Sequence, residues 1–150
     1  MYHFIVRRKI EKMFECLSRG DYETPLKGIA PSIVHIFSGA HPLGGTRHSI
    51  EAMRRWFDRL YQLSPGLKFE IKNIAVSGYP WDTTIAVEWT DSAIPVDGSE
   101  YANEGVHIMK MQWGKVVYLH AYLDTQKTAA FFERLAAFGL VEASAAPIED

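Results

Sequence analysis

The chain has 150 residues and a formal net charge of −2, and 47% of its residues are apolar and 13% aromatic. This length suits one domain with a sizeable core, and the composition excludes a disordered or fibrous protein. The weak charge gives no reason to expect nucleic acid or an anionic membrane as a partner. The lone cysteine, Cys16, cannot form an internal disulfide, so a reducing, cytoplasmic setting is expected.

The first part of the chain predicts helices around one short strand. Apolar residues at i, i+4, i+7, i+8 and i+11 predict an amphipathic helix over about 2 to 18, and a short helix is expected near 22 to 28. A strand at 32 to 37 and a Gly- and Pro-rich loop at 38 to 46 follow. A second long helix is predicted from about 49 to 63, ending before Pro65.

Four strand-like segments and a closing helix follow. The strands are predicted at 67–78, 83–93, 101–112 and 115–124, and the helix at about 125–138. The apolar parity switches within the first strand, which predicts a bulge near Lys72–Asn73. This order is typical of an α+β fold in which a curved, cone-shaped sheet packs on helices. We expect one domain at 1–139 and a loosely held tail at 140–150.

Alternation assigns the faces of the strands. The odd-numbered positions are the more apolar ones, which predicts that they face the core: Ile85, Val87, Trp89, Met109, Met111, Val117, Leu119, Ala121 and Leu123. His107, Asp91 and Asn103 fall on the same face. Buried polar groups without partners cost roughly 1 to 3 kcal/mol, so these three should pair with each other, with water or with a ligand.

The opposite face of the sheet is also partly apolar. It carries Val106, Ile108, Val116, Tyr118 and Tyr122. A sheet that is apolar on both sides usually covers its second face with another subunit, so we expect a homodimer through this outer face. His120 shares that face and is expected at the surface or in the dimer contact.

The segments "SPGLKFEIKNIAVSG", "IAVEWTDSA" and "NEGVHIMKMQWGKVVYLHAYLDT" resemble the nuclear transport factor 2-like superfamily, also called the SnoaL-like or ketosteroid isomerase-like group. The likeness extends from the first helix to Gly139. It implies a cystatin-like α+β barrel. The superfamily includes isomerases, cyclases, epoxide hydrolases, dehydratases and proteins without catalysis, so the resemblance indicates the fold better than the reaction.

The resemblance carries over only some functional residues. His107 matches the inward histidine of the polyketide cyclases, but Ala121 stands where their acid lies. Asp91 matches the first aspartate of the limonene epoxide hydrolases, but Trp89 replaces their arginine. His41, before Pro42, is similar in place to the general base of ketosteroid isomerase.

These residues predict acid/base chemistry without a metal or organic cofactor. His107 can take and give a proton near neutrality, and a carboxylate partner at Asp91 would raise its basicity. Asn103 could donate to a carbonyl or enolate oxygen. The apolar wall is expected to comprise Trp89, Met109, Leu119, Ala121 and Phe37. We therefore expect an isomerase-, cyclase- or hydrolase-type enzyme for a small hydrophobic carbonyl or polycyclic substrate.

Two other functions remain open from the sequence. The same cone could hold a hydrophobic metabolite without catalysis, or it could be a filled dimerisation scaffold. His107 could be a packed core residue. His41 is a loop residue at the expected mouth of the cone, where a catalytic role and a purely structural one are equally open. His35 could face either way, His48 flanks the second helix, and Asp124 is expected to cap the last one.

Overall fold

The computed structural model describes residues 1–150 and contains four α-helices and six strands. In chain order these are α1 Tyr2–Ser18, α2 Glu23–Leu26, β1 Ile29–Phe37, β2 Gly45–Arg47, α3 Ile50–Leu63, β3 Lys68–Tyr79, β4 Asp82–Ala93, β5 Tyr101–Gln112, β6 Lys115–Leu123 and α4 Thr125–Phe138. A 3₁₀ turn, Val141–Ser144, follows α4. No helix combines the length and the apolar character needed to cross a membrane.

The six strands form one curved mixed sheet in the order β2-β1-β6-β5-β4-β3. Only the pairing of β1 with β6 is parallel. The buried side chains of the sheet join those of α1, α3 and α4 in a single core cluster of 27 residues. The predicted α+β class is confirmed, and β2, three residues long, is the strand that the loop prediction missed.

Two of the three register shifts in the sheet decide which side chains face the core. The predicted bulge in β3 is confirmed, because the pairing with β4 shifts between Ile71 and Asn73. A second, unpredicted shift lies in β6, where Lys110 pairs with Tyr118 but Met111 pairs with Val116. The extra residue, Val117, reverses the alternation of the side chains in this part of β6. Val116 is therefore fully buried and Val117 only partly buried, so the prediction that Val117 faces the core and Val116 the outer face was wrong.

The ends of α3 and α4 follow local capping rules. The prediction for Asp124 is confirmed, because its carboxylate accepts from the Lys127 amide at 3.1 Å. Ser49 caps α3 by accepting from the Ala52 amide at 3.1 Å. His48 flanks this helix, as expected, and its Nδ1 lies 3.2 Å from the Asp150 carbonyl oxygen.

The segment 140–150 is bound to the domain, in contrast to the loosely held tail that was expected. Arg47 donates to the Ile148 carbonyl at 2.9 Å, and Arg59 donates to the Ala146 carbonyl at 2.7 Å. Ala143 is buried against the core. Since the tail supplies acceptors to a fully buried guanidinium, it belongs to the same folded body as β2 and α3.

Candidate functional site

A cavity of about 70 Å³ lies between the inner face of the sheet and the helices, and 20 of its 26 lining residues are hydrophobic. The polar side chains that reach it include His35, His107 and Asp91. For comparison, an engineered cavity of roughly 150 Å³ takes up benzene. A polycyclic substrate, which was expected as one possibility, would not lie entirely within a space of this size.

The His107 ring is bonded to tryptophan. Trp89 Nε1 lies 2.6 Å from His107 Nδ1, and an indole nitrogen only donates. His107 Nδ1 is therefore the acceptor, and in the neutral ring the proton sits on Nε2, which has no protein partner. Burial lowers the pKa of His107 to about 4. The expected carboxylate pair and raised basicity were wrong, and His107 is a neutral N–H donor facing the cavity.

Asp91 is a partly buried carboxyl group without a cation. Its Oδ1 accepts from the Asn103 amide at 3.0 Å, and it forms no salt bridge. Burial raises the pKa of Asp91 to about 6, although the Asn103 amide opposes the shift. His107 pairs with Val87, four residues away from Asp91 along β4, so the two backbones are about 13 Å apart along the strand.

Asp91 also marks the way out of the cavity. An open groove of about 460 Å³ covers the adjoining ends of β3, β4 and β5. Asp91 and Phe69 line both the cavity and this groove. Phe69 packs edge-on against Trp89, with ring centroids 5.3 Å apart. The Asp91 carboxyl group therefore lies where the enclosed space meets the open groove.

The Asn103 side chain is used within the protein, contrary to its expected role as a ligand donor. Its Nδ2 lies 3.1 Å from three acceptors, which are the Asp124 carbonyl, the Thr128 hydroxyl and the Tyr101 hydroxyl, and its two hydrogens are shared among them. Its Oδ1 accepts from the Glu104 amide at 2.8 Å. Asn103 does not line the cavity, and these bonds fasten the start of α4 to β5.

His41 is a buried loop residue, so its expected place at the mouth was wrong. Its Nε2 donates to the Ser38 carbonyl at 3.0 Å, while its Nδ1 accepts from the Leu43 amide at 3.2 Å. The ring packs against Phe132 and does not line the cavity. Burial lowers the pKa of His41, and both ring nitrogens hold the loop together.

The sequence interpretation missed an imidazole–guanidinium pair beside the cavity. His35 lines the cavity, and its Nδ1 accepts from Arg47 Nε at 2.8 Å. Arg47 is fully buried, and its other nitrogens donate to the carbonyl oxygens of Gly44, Gly45 and Ile148. Alternation with Ile33 and Phe37 could have placed His35 inside. No local signal predicts the burial of Arg47.

Comparison with known proteins assigns the family. Residues 10–119 match the SnoaL-like domain model. The chain belongs to the SnoaL-like family. No curated protein matches it.

Solved structures similar to this SnoaL-like chain share its fold. An NTF2-like protein of unknown function from Burkholderia pseudomallei is 19% identical, with a TM-score of 0.75 over 83% of this chain and 95% of that one. TerC, co-crystallised with polyporic acid, is 20% identical, with a TM-score of 0.69 over 83% and 92%. PrhC from Penicillium brasilianum is 21% identical, with a TM-score of 0.72 over 85% of each chain.

The SnoaL-like cavity has the predicted apolar wall with one exception. Phe37, Trp89, Met109 and Leu119 line it, as expected. Ala121 does not line it: this residue lies in the sheet between His107 and Phe37, and it is fully buried. No acid therefore stands beside His107 at this position of β6.

Proposed function

We propose that this chain binds a small apolar carbonyl compound and moves a proton at a carbon activated by the carbonyl group. Asp91 takes the proton from carbon and returns it, and His107 donates a hydrogen bond from Nε2 to the carbonyl oxygen. These roles are the reverse of those expected from the sequence. Membership of the SnoaL-like family, which includes isomerases and cyclases, supports this reaction class.

The observation that carries the proposal is the carboxyl group of Asp91. A carboxylate that is partly removed from water and has no cation beside it destabilises a fold, and such groups concentrate at functional sites. A pKa of about 6 leaves Asp91 mostly ionised at neutral pH and makes it a stronger base than an exposed aspartate. Its place between cavity and groove lets it meet a substrate that extends from one into the other.

His107 suits the role of a neutral electrophile. Its lowered pKa prevents it from serving as the general base at neutral pH, but a fixed N–H donor in an apolar site stabilises a developing enolate oxygen. The distance along β4 places the two groups on different parts of the substrate. A conjugated ketone fits this arrangement, because its acidic carbon lies several bonds from the oxygen.

Deuterium exchange tests the proposal without knowledge of the natural product. 2-Cyclopentenone, 2-cyclohexenone and 3-methyl-2-cyclohexenone are incubated with the protein in D₂O. NMR follows the loss of the proton signals of the γ carbon, which is the saturated ring carbon next to the far end of the conjugated double bond. Wild-type protein should accelerate exchange for at least one ketone. Asp91→Asn should abolish the acceleration, because an amide is not a base at this pH.

Glu88→Gln is the matched control, since Glu88 is exposed on the same strand. It should exchange the ketones like the wild type. Exchange that is equally fast in Asp91→Asn, or absent from the wild type with all three ketones, overturns the proposal.

A non-catalytic binding module is the second candidate, and the small volume of the cavity favours it. Both cavity imidazoles are neutral, and each is fixed by a hydrogen bond that its Nδ1 accepts from Arg47 or Trp89. Rings fixed in this way can orient a bound ligand without taking part in a reaction. Ketone-induced shifts of the His107 resonances without any exchange would identify this function.

We also propose that the outer face of the sheet forms the homodimer. Tyr122 is 48% exposed there, and its ring stacks on His120 with centroids 3.7 Å apart. Val106 and Ile108 beside it are only partly covered. Sedimentation should give a dimer for the wild type and a monomer for Tyr122→Glu, and a wild-type monomer would refute the proposal.

A further inference from the structure

The inner end of the cavity holds two imidazoles whose protons are fixed by their neighbours. Trp89 Nε1 and Arg47 Nε can only donate, so His107 and His35 each accept at Nδ1. Burial lowers the pKa of both rings, which are therefore neutral at physiological pH. A neutral ring that accepts at Nδ1 carries its proton on Nε2. Neither Nε2 has a partner in the protein, and both residues line the cavity.

Arg47 adds charge behind one of these rings. It is fully buried, and all its hydrogen bonds go to neutral acceptors: the His35 ring and three backbone carbonyls. Glu149 and Asp150 act on Arg47 electrostatically, but neither carboxylate forms a salt bridge with it. A buried cation without a bonded anion stabilises negative charge nearby, and His35 lies between this cation and the cavity.

The two rings reach the same cavity from different strands of the sheet. His35 pairs with Leu119 and His107 with Ala121, so the histidines lie on the two strands that flank β6 and are offset by two residues. Their side chains are on the same inner face of a curved sheet. Two N–H donors that face one small cavity from the strands on either side of β6 can bind the two oxygens of one group.

We propose that His35 and His107 form a paired-donor subsite, backed by the charge of Arg47, for the anionic oxygen of a small apolar ligand. The matching chemistry is a short aliphatic carboxylate, or the enolate that forms from a carbonyl substrate. The enolate part rests on the proposed function, whereas carboxylate binding does not. The cavity volume restricts the ligand to a few carbon atoms.

Isobutyrate and isobutyramide, which have the same shape but differ in charge, are the probes. Nitrogen NMR of the wild-type imidazoles should show both rings as neutral Nε2–H tautomers, and isobutyrate should shift both Nε2 signals. Isobutyramide should bind about tenfold more weakly or worse, since a hydrogen bond to a charged group is worth roughly 1.5 to 3 kcal/mol.

The variants His35→Asn and His107→Asn each keep an acceptor for Arg47 or Trp89 but remove the Nε2–H group. Each should weaken isobutyrate binding about tenfold and leave isobutyramide binding almost unchanged. His48→Asn, outside the cavity, is the matched control and should bind like the wild type. Because the tautomers and shifts are read in the wild type, the test does not depend on the folding of the variants.

Three results overturn the inference: an Nδ1–H tautomer at either ring, a shift at only one ring, or equal affinity for the two probes. The proposed function fails separately, in the ketone exchange assay. Isobutyrate binding without ketone exchange leaves the paired-donor subsite standing and removes the proton-transfer reaction. Ketone exchange without isobutyrate binding gives the opposite result.

Discussion

At the inner end of the cavity, His35 and His107 each accept a hydrogen bond from a donor that cannot reverse, whereas at the outer end Asp91 accepts one backbone amide and meets no cation. Burial disfavours the charged form of the groups at both ends, so it lowers the pKa of the histidines and raises the pKa of the aspartate. It keeps the imidazoles uncharged, and it moves the pKa of the carboxyl group to about 6. The inner end is therefore suited to orienting a ligand, and the outer end to changing its protonation state.

Removing Arg47 should have the largest effect, because it breaks the support of the inner end. Arg47→Leu leaves the His35 ring and three backbone carbonyls without this donor. We expect the free energy of unfolding to fall by roughly 3 to 5 kcal/mol, measured by urea denaturation. Arg54→Leu, an exposed arginine paired with Glu23, is the control and should cost about 1 kcal/mol or less. Equal losses would contradict the structure.

The neutral state of His107 predicts a loss of stability in acid. Its pKa is about 4 in the folded protein and 6.5 when unfolded, so the unfolded state binds more protons between these values. Stability should fall by roughly 3 kcal/mol as the pH drops from 6.5 to 4 on account of this ring. His107→Asn should remove that part of the slope in urea titrations. The exposed His48→Asn should keep the slope, and an unchanged slope in His107→Asn would show that the ring is not buried.

Asp91 predicts the opposite pH dependence at the outer end. Its folded pKa of about 6 exceeds the unfolded value of 3.8, so stability is lost as the pH rises through this window. Asp91→Asn should stabilise the protein at pH 8 by about 1 to 3 kcal/mol, with the gain vanishing below the unfolded pKa.

Asp97→Asn is the control for Asp91→Asn, because the pKa of Asp97 is shifted in the opposite direction. Hydrogen bonds from Ser99 lower the pKa of the Asp97 carboxyl group, so its amide variant should lose stability at pH 8. Destabilisation by Asp91→Asn at that pH would show that the Asp91 carboxylate is stabilised in the fold, and the contrast between the two ends would disappear.

The smallest effect is expected at the helix that borders the outer end. Asp124→Ala removes the N-cap of α4 and should cost about 1 kcal/mol. Glu133→Ala, on the exposed side of α4, should change stability by a few tenths of a kcal/mol. Titration of Asp91 by NMR should be the same in both variants, since its raised pKa comes from burial. A shifted midpoint in Asp124→Ala would mean that the two carboxylates interact.

The sequence predicted the elements and most of the core face, because helical and strand periods are local properties. The alternation around Trp89 and Met109 placed both in the core, and the parity switch near Lys72 located the bulge. The same reasoning failed at Val117, where no parity switch marks the bulge in β6. It also placed His107, Asp91 and Asn103 on one face but could not say which of them would be bonded to one another.

Residue order by itself therefore determined the α+β architecture, the inward face that carries His107 and Asp91, and the cap at Asp124. Tertiary structure alone decided the chemistry of the site. The Nδ1 of His107 meets an indole rather than a carboxylate, and Arg47 reaches both His35, 12 residues away, and Ile148, 101 residues away. Hydrogen-bond partners and desolvation depend on which distant groups the folded chain brings together, and local periodicity carries no information about those distances.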